Sequence, residues 1–363
     1  MVINYFSDFC FPGGIPVHQG LMAEELIKLG HKVNICVPWP LRYDMEENKD
    51  FIIQNIDRLE KIFPPLRNLI KIDSLEKMNS IIENADINHF HGSFSTNREF
   101  LGEAIEASPL KKNIYTFHSS FVNPKCKSDT QILKKRIKNI SKIIAVSELV
   151  KENVHRVFSD RIIEVVPNGY YKQNKVFETA AQHVFTVLFI GRVNKTKGAD
   201  NLIKFARDIK GKNIKFIILG SAEFDDEYNQ ELEQIEKENI NIEWIKQPLS
   251  FYETQQLYAR ADVLYFPSQM EGSSLVILDS IAYGVIPVTT HVGSVDDFLI
   301  NGINSFISNY DDYETQRDAI FSLFESKSLY DEVKVNLLKT DIPTWKDSAL
   351  QLEKMYKDQL AND

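Results

Sequence analysis

Residues 183–220, HVFTVLFIGRVNKTKGADNLIKFARDIKGKNIKFIILG, decide the fold. HVFTVLFIG is a short apolar run ending in glycine, the pattern of a buried strand. ADNLIKFARDIKG has the three-to-four residue spacing of an amphipathic helix, and Gly211 closes it. NIKFIILG is a second apolar run, again ending in glycine at Gly220. A strand, a short polar loop, a helix and a second strand make one unit of a parallel sheet.

The same alternation runs on toward the C-terminus. NIEWIKQP and DVLYFPS read as strands, SFYETQQLYARA as a helix between them, and SLVILDSIAYG as an apolar helix capped by Gly284. VIPVTT is a further strand, followed by a short helix, SFIS, and helices to the end. It also runs toward the N-terminus. MVINYFSD, the loop FCFPGGIP with Gly13 and Gly14, the helix HQGLMAEELIKLG and the strand HKVNICVP form an equivalent unit. DINHFHG, NIYTFHSS, KIIAVSE and RIIEVVPNGY supply later strands, with helices expected over 95–107 and 130–140. Residues 39–80 read only as charged, helical or irregular pieces. The polar stretch 171–183 reads as a linker.

These patterns predict an α/β chain of two Rossmann-like domains. Residues 1–170 form the first, 171–183 the linker, 184–340 the second, and 341–363 a C-terminal helix packing back toward the first. Two such sheets facing each other would make a cleft lined by strand tips, among them His91, His118, Arg192, Gly220 and Glu271.

Composition narrows the function. The 363 residues suit two domains of ordinary size. The formal net charge is -9, with 22 Lys/Arg against 21 Asp/Glu in residues 1–170 and 20 against 30 in the rest. No coherent basic field marks a nucleic-acid binder, so no nucleic-acid partner is expected. Cys10, Cys36 and Cys126 form neither a CxxC pair nor a disulfide framework. No signal segment and no spanning run is present, which predicts a cytoplasmic protein on the cytosolic side of any membrane it serves.

Two stretches carry the chemistry. GRVNKTKG, residues 191–198, lies between a strand and a helix start. Arg192 and Lys197 can approach one point beside free backbone N–H groups, an arrangement that suits a diphosphate. A solvated basic turn is the plainer alternative. The loop has neither Walker A nor GxGxxG spacing. In PSQMEGSSLVILDSIAYGVIPV, residues 267–288, Glu271 precedes an apolar helix and Asp279 lies inside it. A carboxylate can accept from two adjacent hydroxyls, as on a ribose or a hexose. An Asp among apolar neighbours should be paired or face a cleft, whereas Glu271 could simply be an N-terminal helix charge.

With these residues in view, the chain resembles the large retaining glycosyltransferase family with the GT-B fold, family 4, which includes bacterial mannosyl-, glucosyl- and N-acetylglucosaminyltransferases. GRVNKTKG and EGSSLVILDSIAYGVIPV carry most of the likeness. FPGG, ELIKLGHKVNICVP, DINHFHG, YTFHSS, KIIAVSELV and VVPNG extend it along the chain. The resemblance implies transfer of a sugar from a nucleotide-diphosphate sugar, UDP-sugar favoured over GDP-sugar, to a glycan, glycolipid or other hydroxyl acceptor in polysaccharide or cell-envelope assembly. It implies that Arg192 and Lys197 bind the diphosphate and that Glu271 with Gly272, Ser273, Ser274 and Leu275 holds the sugar. By the same likeness Asp279 holds the ribose, His118 stands at the reaction centre, and Gly13 and Gly14 allow a close approach. The chain departs from the family in having Asp279 where Glu is usual, small residues after Glu271, Tyr170 and Tyr171 after VPNG, and Lys246 after the strand NIEWI. A catalytically silent nucleotide-sugar-binding subunit and a sugar-nucleotide epimerase of the same fold are the competing readings.

No cofactor or metal is expected. Alternation places His89 and His91 on one strand face with no third ligand in view, and Asp225 and Asp226 belong to a solvated acidic helix. His18 reads as an acceptor contact or a solvent-facing residue. Residues 131–142, QILKKRIKNISK, interleave Lys134, Lys135, Arg136, Lys138 and Lys142 with apolar residues. Lys111, Lys112, Lys125 and Lys127 lie near in sequence. This reads as a peripheral contact for an anionic membrane or as a packed surface helix.

Overall fold

The computed structural model describes residues 1–7, 13–38, 69–92, 99–119, 127–171, 184–222 and 226–361. The chain divides into two compact units, Met1–Gly169 with Pro343–Asp363, and Tyr170–Ile342. The C-terminal helix Trp345–Ala361 therefore counts with the first unit. The reading of 171–183 as a linker falls outside the described residues beyond Tyr171, as do Cys10, Cys126, Lys125 and Asp225.

The first unit holds a seven-stranded parallel sheet. Its strands are β1 (Val2–Ser7), β2 (Lys32–Pro38), β3 (Leu69–Ile72), β4 (Ile87–Gly92), β5 (Asn113–Phe117), β6 (Lys142–Ala145) and β7 (Ile163–Val165), in the order β3-β2-β1-β4-β5-β6-β7. Parallel strands need crossovers, and the described helices provide them. Alternation along β1 and β4 sorts their side chains. Phe6 stacks on Phe90 at 5.3 Å in the core that Phe100, Tyr115 and Val150 also enter. Tyr5, His89 and His91 take the opposite face. There the helix Gly14–Lys28 brings His18, and Trp345–Ala361 brings Tyr356, into contact with them.

The second unit holds a six-stranded parallel sheet. Its strands are β8 (Phe185–Ile190), β9 (Ile214–Leu219), β10 (Ile242–Ile245), β11 (Val263–Phe266), β12 (Ile286–Thr290) and β13 (Phe306–Ser308), ordered β10-β9-β8-β11-β12-β13. In both sheets the order runs outward from the first strand and then reverses, which places a switch point at β1/β4 and another at β8/β11. The central strands of the second unit supply an apolar core, with Val187, Leu188, Ile217, Ile218, Val263 and Leu264 wholly buried.

Three elements depart from the expected reading. KIIAVSE ends its strand at Ala145, and Ser147 caps the helix Glu148–Val157 by accepting from the Val150 N–H at 3.2 Å. Serine in extended backbone before a glutamate is a helix start. Within the unclear stretch 39–80, Leu69–Ile72 is a strand and Leu75–Glu83 a helix capped by Ser74. Four residues of strand, half-buried at a sheet edge, carry too few alternations to register as a pattern.

Candidate functional site

The loop after β8 and the loop after β11 lie on either side of the second unit's switch point. They are held together by close backbone approach. Gly198 sits at φ 82°, and a Cβ there would meet the Pro267 carbonyl oxygen at 2.2 Å. Gly220 sits at φ 149°, where a Cβ would meet the Gly191 carbonyl oxygen at 1.8 Å. Both glycines supply space and a backbone conformation that other residues rarely adopt. The Gln269 N–H donates to the Thr196 carbonyl at 2.8 Å, tying the second loop to the first.

Lys195–Lys197 form a single 3-10 turn, with the Asn194 side chain accepting from the Lys197 N–H at 3.0 Å. This aims the Lys197 side chain at Glu271. The Lys197 Nζ donates to Glu271 Oε1, and the two side chains are 19% and 13% exposed. Arg192 is exposed, and among the described residues no carboxylate pairs with it. Thus one cation is held in an ion pair, while the other is exposed with no carboxylate partner among the described residues.

The helix Leu275–Tyr283 begins four residues after Glu271. Ser274 is its N-cap residue but makes no side-chain cap, so the first turn presents backbone N–H groups without intrahelical partners. The loop before it is braced from behind. Ser273 Oγ lies 3.1 Å from Ser294 Oγ, and a Cβ on Gly293 would meet the Gly272 carbonyl at 2.8 Å. Glu271 lies outside the helix, so the two carboxylates have separate surroundings. Asp279 accepts from Gln255 Nε2 at 3.2 Å, with Tyr258 and Tyr283 close by. Burial pushes its carboxyl up to about 7, against which the Gln255 hydrogen bond works. Gln255 is a partner the sequence reading missed. Its only signal was a polar residue on the side of the helix that also buries Tyr258. Lys246 stands over the Trp244 ring at 4.2 Å and pairs with Glu233.

In the first unit, Gly13 and Gly14 are exposed at the start of Gly14–Lys28, and a Cβ on Gly14 would meet nothing within 4 Å. His118 follows β5 and is half-buried, its N–H donating to the Gly92 carbonyl at 2.9 Å. His118 Nε2 lies 3.0 Å from His91 Nδ1. His18 is buried, 3% exposed, so it does not face solvent; its Nδ1 lies 2.7 Å from Asn168 Oδ1. The expectation that the strand histidines lack a third partner is also corrected, since His18, His91 and His118 gather in one cluster. His89, stacked on His91 at 4.2 Å, has both ring nitrogens engaged, by Tyr356 Oη at 2.6 Å and Thr116 Oγ1 at 2.7 Å. Burial lowers the basicity of all four rings, that of His18 to about 4.

The basic element splits. Leu133, Ile137 and Ile140 are buried in the first unit's core, and Arg136 lies against Gly102. Lys142 belongs to β6 and pairs with Glu164 at 3.0 Å. Lys134, Lys135 and Lys138 are exposed. Most of its apolar side is therefore core, while Ile132 is 39% exposed. No helix among the described residues is long and apolar enough to cross a membrane.

Comparison with known proteins agrees with this architecture. Residues 171–339 match the family model "Glycosyl transferases group 1", and residues 12–172 match "Glycosyltransferase Family 4". An uncharacterized glycosyltransferase of Methanocaldococcus jannaschii is 24% identical over 95% of both chains. The gpi3 subunit of phosphatidylinositol N-acetylglucosaminyltransferase of Schizosaccharomyces pombe is 25% identical, covering 96% of this chain and 79% of its own. HepE of Anabaena, solved in complex with UDP-glucose, superposes with a TM-score of 0.73 at 14% identity, with 100% of each chain covered, and so shares the fold. The two models follow one another along nearly the whole chain, one on each sheet, and the protein belongs to the family 4 group of glycosyltransferases with the GT-B fold.

Proposed function

We propose that the protein transfers a sugar, with retention at the anomeric carbon, from a uridine diphosphate sugar to a hydroxyl of a glycan or lipid-linked acceptor. The observation that carries this reading is the Lys197–Glu271 pair beside the helix start Leu275–Tyr283. It sets a cation, a carboxylate and a row of N–H groups at one switch point of the second sheet. A diphosphate needs the first and third, and sugar hydroxyls need the second. Uridine is favoured because HepE binds UDP-glucose on the same fold.

In this reading Arg192 and Lys197 meet the charge that builds on the departing phosphate. The C1–O bond to the diphosphate breaks as the acceptor oxygen bonds C1 from the same face. The acceptor proton passes to the leaving phosphate oxygen. Glu271 and the Gly272–Leu275 backbone orient the sugar, Asp279 accepts from the ribose hydroxyls, and neutral His118 serves the reacting sugar as a hydrogen-bonding group. Gly13 and Gly14 leave room for substrate. Because two side-chain cations and a helix terminus face the phosphates, transfer is proposed to need no divalent ion. Membrane contact, where the acceptor is a lipid, would be electrostatic and made by Lys134, Lys135 and Lys138 on the cytoplasmic side.

A thermal-stabilisation screen of nucleotide sugars tests the reading without knowledge of the acceptor. UDP and one or more UDP-sugars should raise the melting temperature. No shift with any nucleotide sugar or nucleoside diphosphate would overturn it.

A further inference from the structure

We propose that His18, His91 and His118 form a transition-metal site in the first unit, taking a zinc-class divalent ion on three imidazoles with one coordination position open.

One ring nitrogen from each of the three lies within 4.8 Å of one from each of the others. The side chains come from three elements that the sheet topology holds together: the helix Gly14–Lys28, the last turn of β4, and the residue just past β5. The closest pair, His91 Nδ1 and His118 Nε2, is 3.0 Å apart. Four-coordinate zinc with bonds of about 2.0–2.1 Å separates its ligand atoms by about 3.3 Å. The cluster thus needs only sub-ångström spreading at one edge and a modest closing at the others.

The supporting shell has the form a metal site requires. His18 gives its Nδ1 proton to Asn168 Oδ1, which fixes its tautomer and leaves the Nε2 lone pair available. His91 turns its Nδ1 toward His118, and its Nε2 is buried with no hydrogen-bond partner among the described residues. His118 is half-buried, so an ion has a way in. His89, only 4.2 Å from His91 ring to ring, is not a ligand, because Tyr356 and Thr116 occupy both of its nitrogens. Three neutral ligands leave the ion's charge uncancelled, and the open position therefore suits water, hydroxide or an anionic oxygen.

The proposal draws on none of Arg192, Lys197, Glu271 or Asp279, but it shares His118 with the proposed transfer, where an ion would take the place of its hydrogen bond to the sugar; Co(II) binding and UDP binding are therefore read separately. Cobalt(II) is the probe: the full chain, stripped with chelator, is titrated with Co(II) and followed by visible absorption, and Zn(II) is then added in competition. A saturable four-coordinate Co(II) band at one equivalent, displaced by Zn(II), is expected. His18→Gln and His118→Gln should abolish it, Asn168→Ala should weaken binding by about tenfold, and His291→Gln, at an exposed site, should leave it unchanged. Circular dichroism of each variant separates lost ligation from lost folding, and Asn168→Ala keeps the test alive where a histidine variant fails to fold. Absence of the band, or a band of equal strength in the folded His18→Gln and His118→Gln variants, overturns the site.

Discussion

The Lys197 ammonium is bound to the Glu271 carboxylate, joining the loop after β8 to the loop after β11, 74 positions apart in sequence. The pair is mostly buried, at 19% and 13% side-chain exposure. In a donor complex the diphosphate would draw the ammonium and the sugar hydroxyls would draw the carboxylate, so the ion pair holds both groups in readiness and keeps them ordered when no donor is present.

Removing either partner strands the other. Lys197→Ala should therefore lower stability by about 1–3 kcal/mol, the cost of an unsatisfied buried polar group, and should weaken UDP binding as well. Lys197→Met with Glu271→Leu should recover much of the stability but none of the binding. Chemical denaturation and calorimetric titration of the two singles and the double close the cycle. Recovery of UDP affinity in the double variant would contradict the assigned roles.

Arg192 is exposed and unpaired by any described carboxylate, so it contributes little to folding. Arg192→Ala should melt within a degree or so of the parent, in keeping with the small cost of surface changes. It should weaken UDP by roughly tenfold, the size of one charge-assisted hydrogen bond, while uridine binding stays unchanged. Equal losses for UDP and uridine would show that Arg192 does not meet the diphosphate.

Much of this was legible in the residues. GRVNKTKG stands between a strongly apolar strand and a helix start, and glycine ends both neighbouring strands; the structure shows close backbone approach at these glycines, Gly220 to Gly191 and, at the helix start, Gly198 to Pro267. What local pattern could not supply was the pairing of distant residues. Gln255 under Asp279, Asn168 under His18, and His18 beside His118 join residues 24, 150 and 100 positions apart. Such neighbours follow from strand order, which periodicity within one segment does not encode. The apolar side of 131–142 was illegible for a related reason: interleaved lysine and isoleucine look the same whether that side meets lipid or a sheet, and here Leu133, Ile137 and Ile140 meet the sheet.

The glycines allow the close approach to be weighed. Gly198 and Gly211 share nearly the same φ, 82° and 81°, but a Cβ on Gly211 would meet nothing within 4 Å. Gly211→Ala should cost about 1–2 kcal/mol, the left-handed backbone term alone. Gly198→Ala adds a clash with Pro267 and should cost clearly more, and it should also reduce UDP binding because the Lys197 turn must shift. Equal melting temperatures for the two variants would mean that the loops are not held by this approach.

The exposed lysines 134, 135 and 138 make a charge-only prediction. With Leu133, Ile137 and Ile140 committed to the core, binding to anionic vesicles should fall steeply with salt and vanish in the triple Lys→Gln variant, since each lysine near such a surface contributes about 1 kcal/mol. Co-sedimentation with vesicles rich in anionic lipid reads it. Binding that is insensitive to salt would point instead to apolar insertion, for which Ile132 is the exposed apolar side chain of this element.

Asp279 ties stability and binding to pH with opposite signs. Its folded value, about 7, lies above its ordinary value of 3.8, because burial disfavours the carboxylate. The folded protein thus holds this proton more tightly than the unfolded chain. The resulting stability is fully present below about 3.8 and is lost as pH rises through about 7. Asp279→Asn removes the dependence, so the difference in stability between variant and parent should drift in the variant's favour from about pH 4 to about pH 7 and then level off. Ribose hydroxyls need the ionised form as acceptor, so UDP affinity of the parent should instead rise through the same window, with a proton released on binding. Titration calorimetry near pH 7 in two buffers of different ionisation enthalpy detects that proton directly. Heats that do not depend on the buffer, or an unchanged pH profile for UDP in the Asp279→Asn variant, would remove Asp279 from the ribose contact.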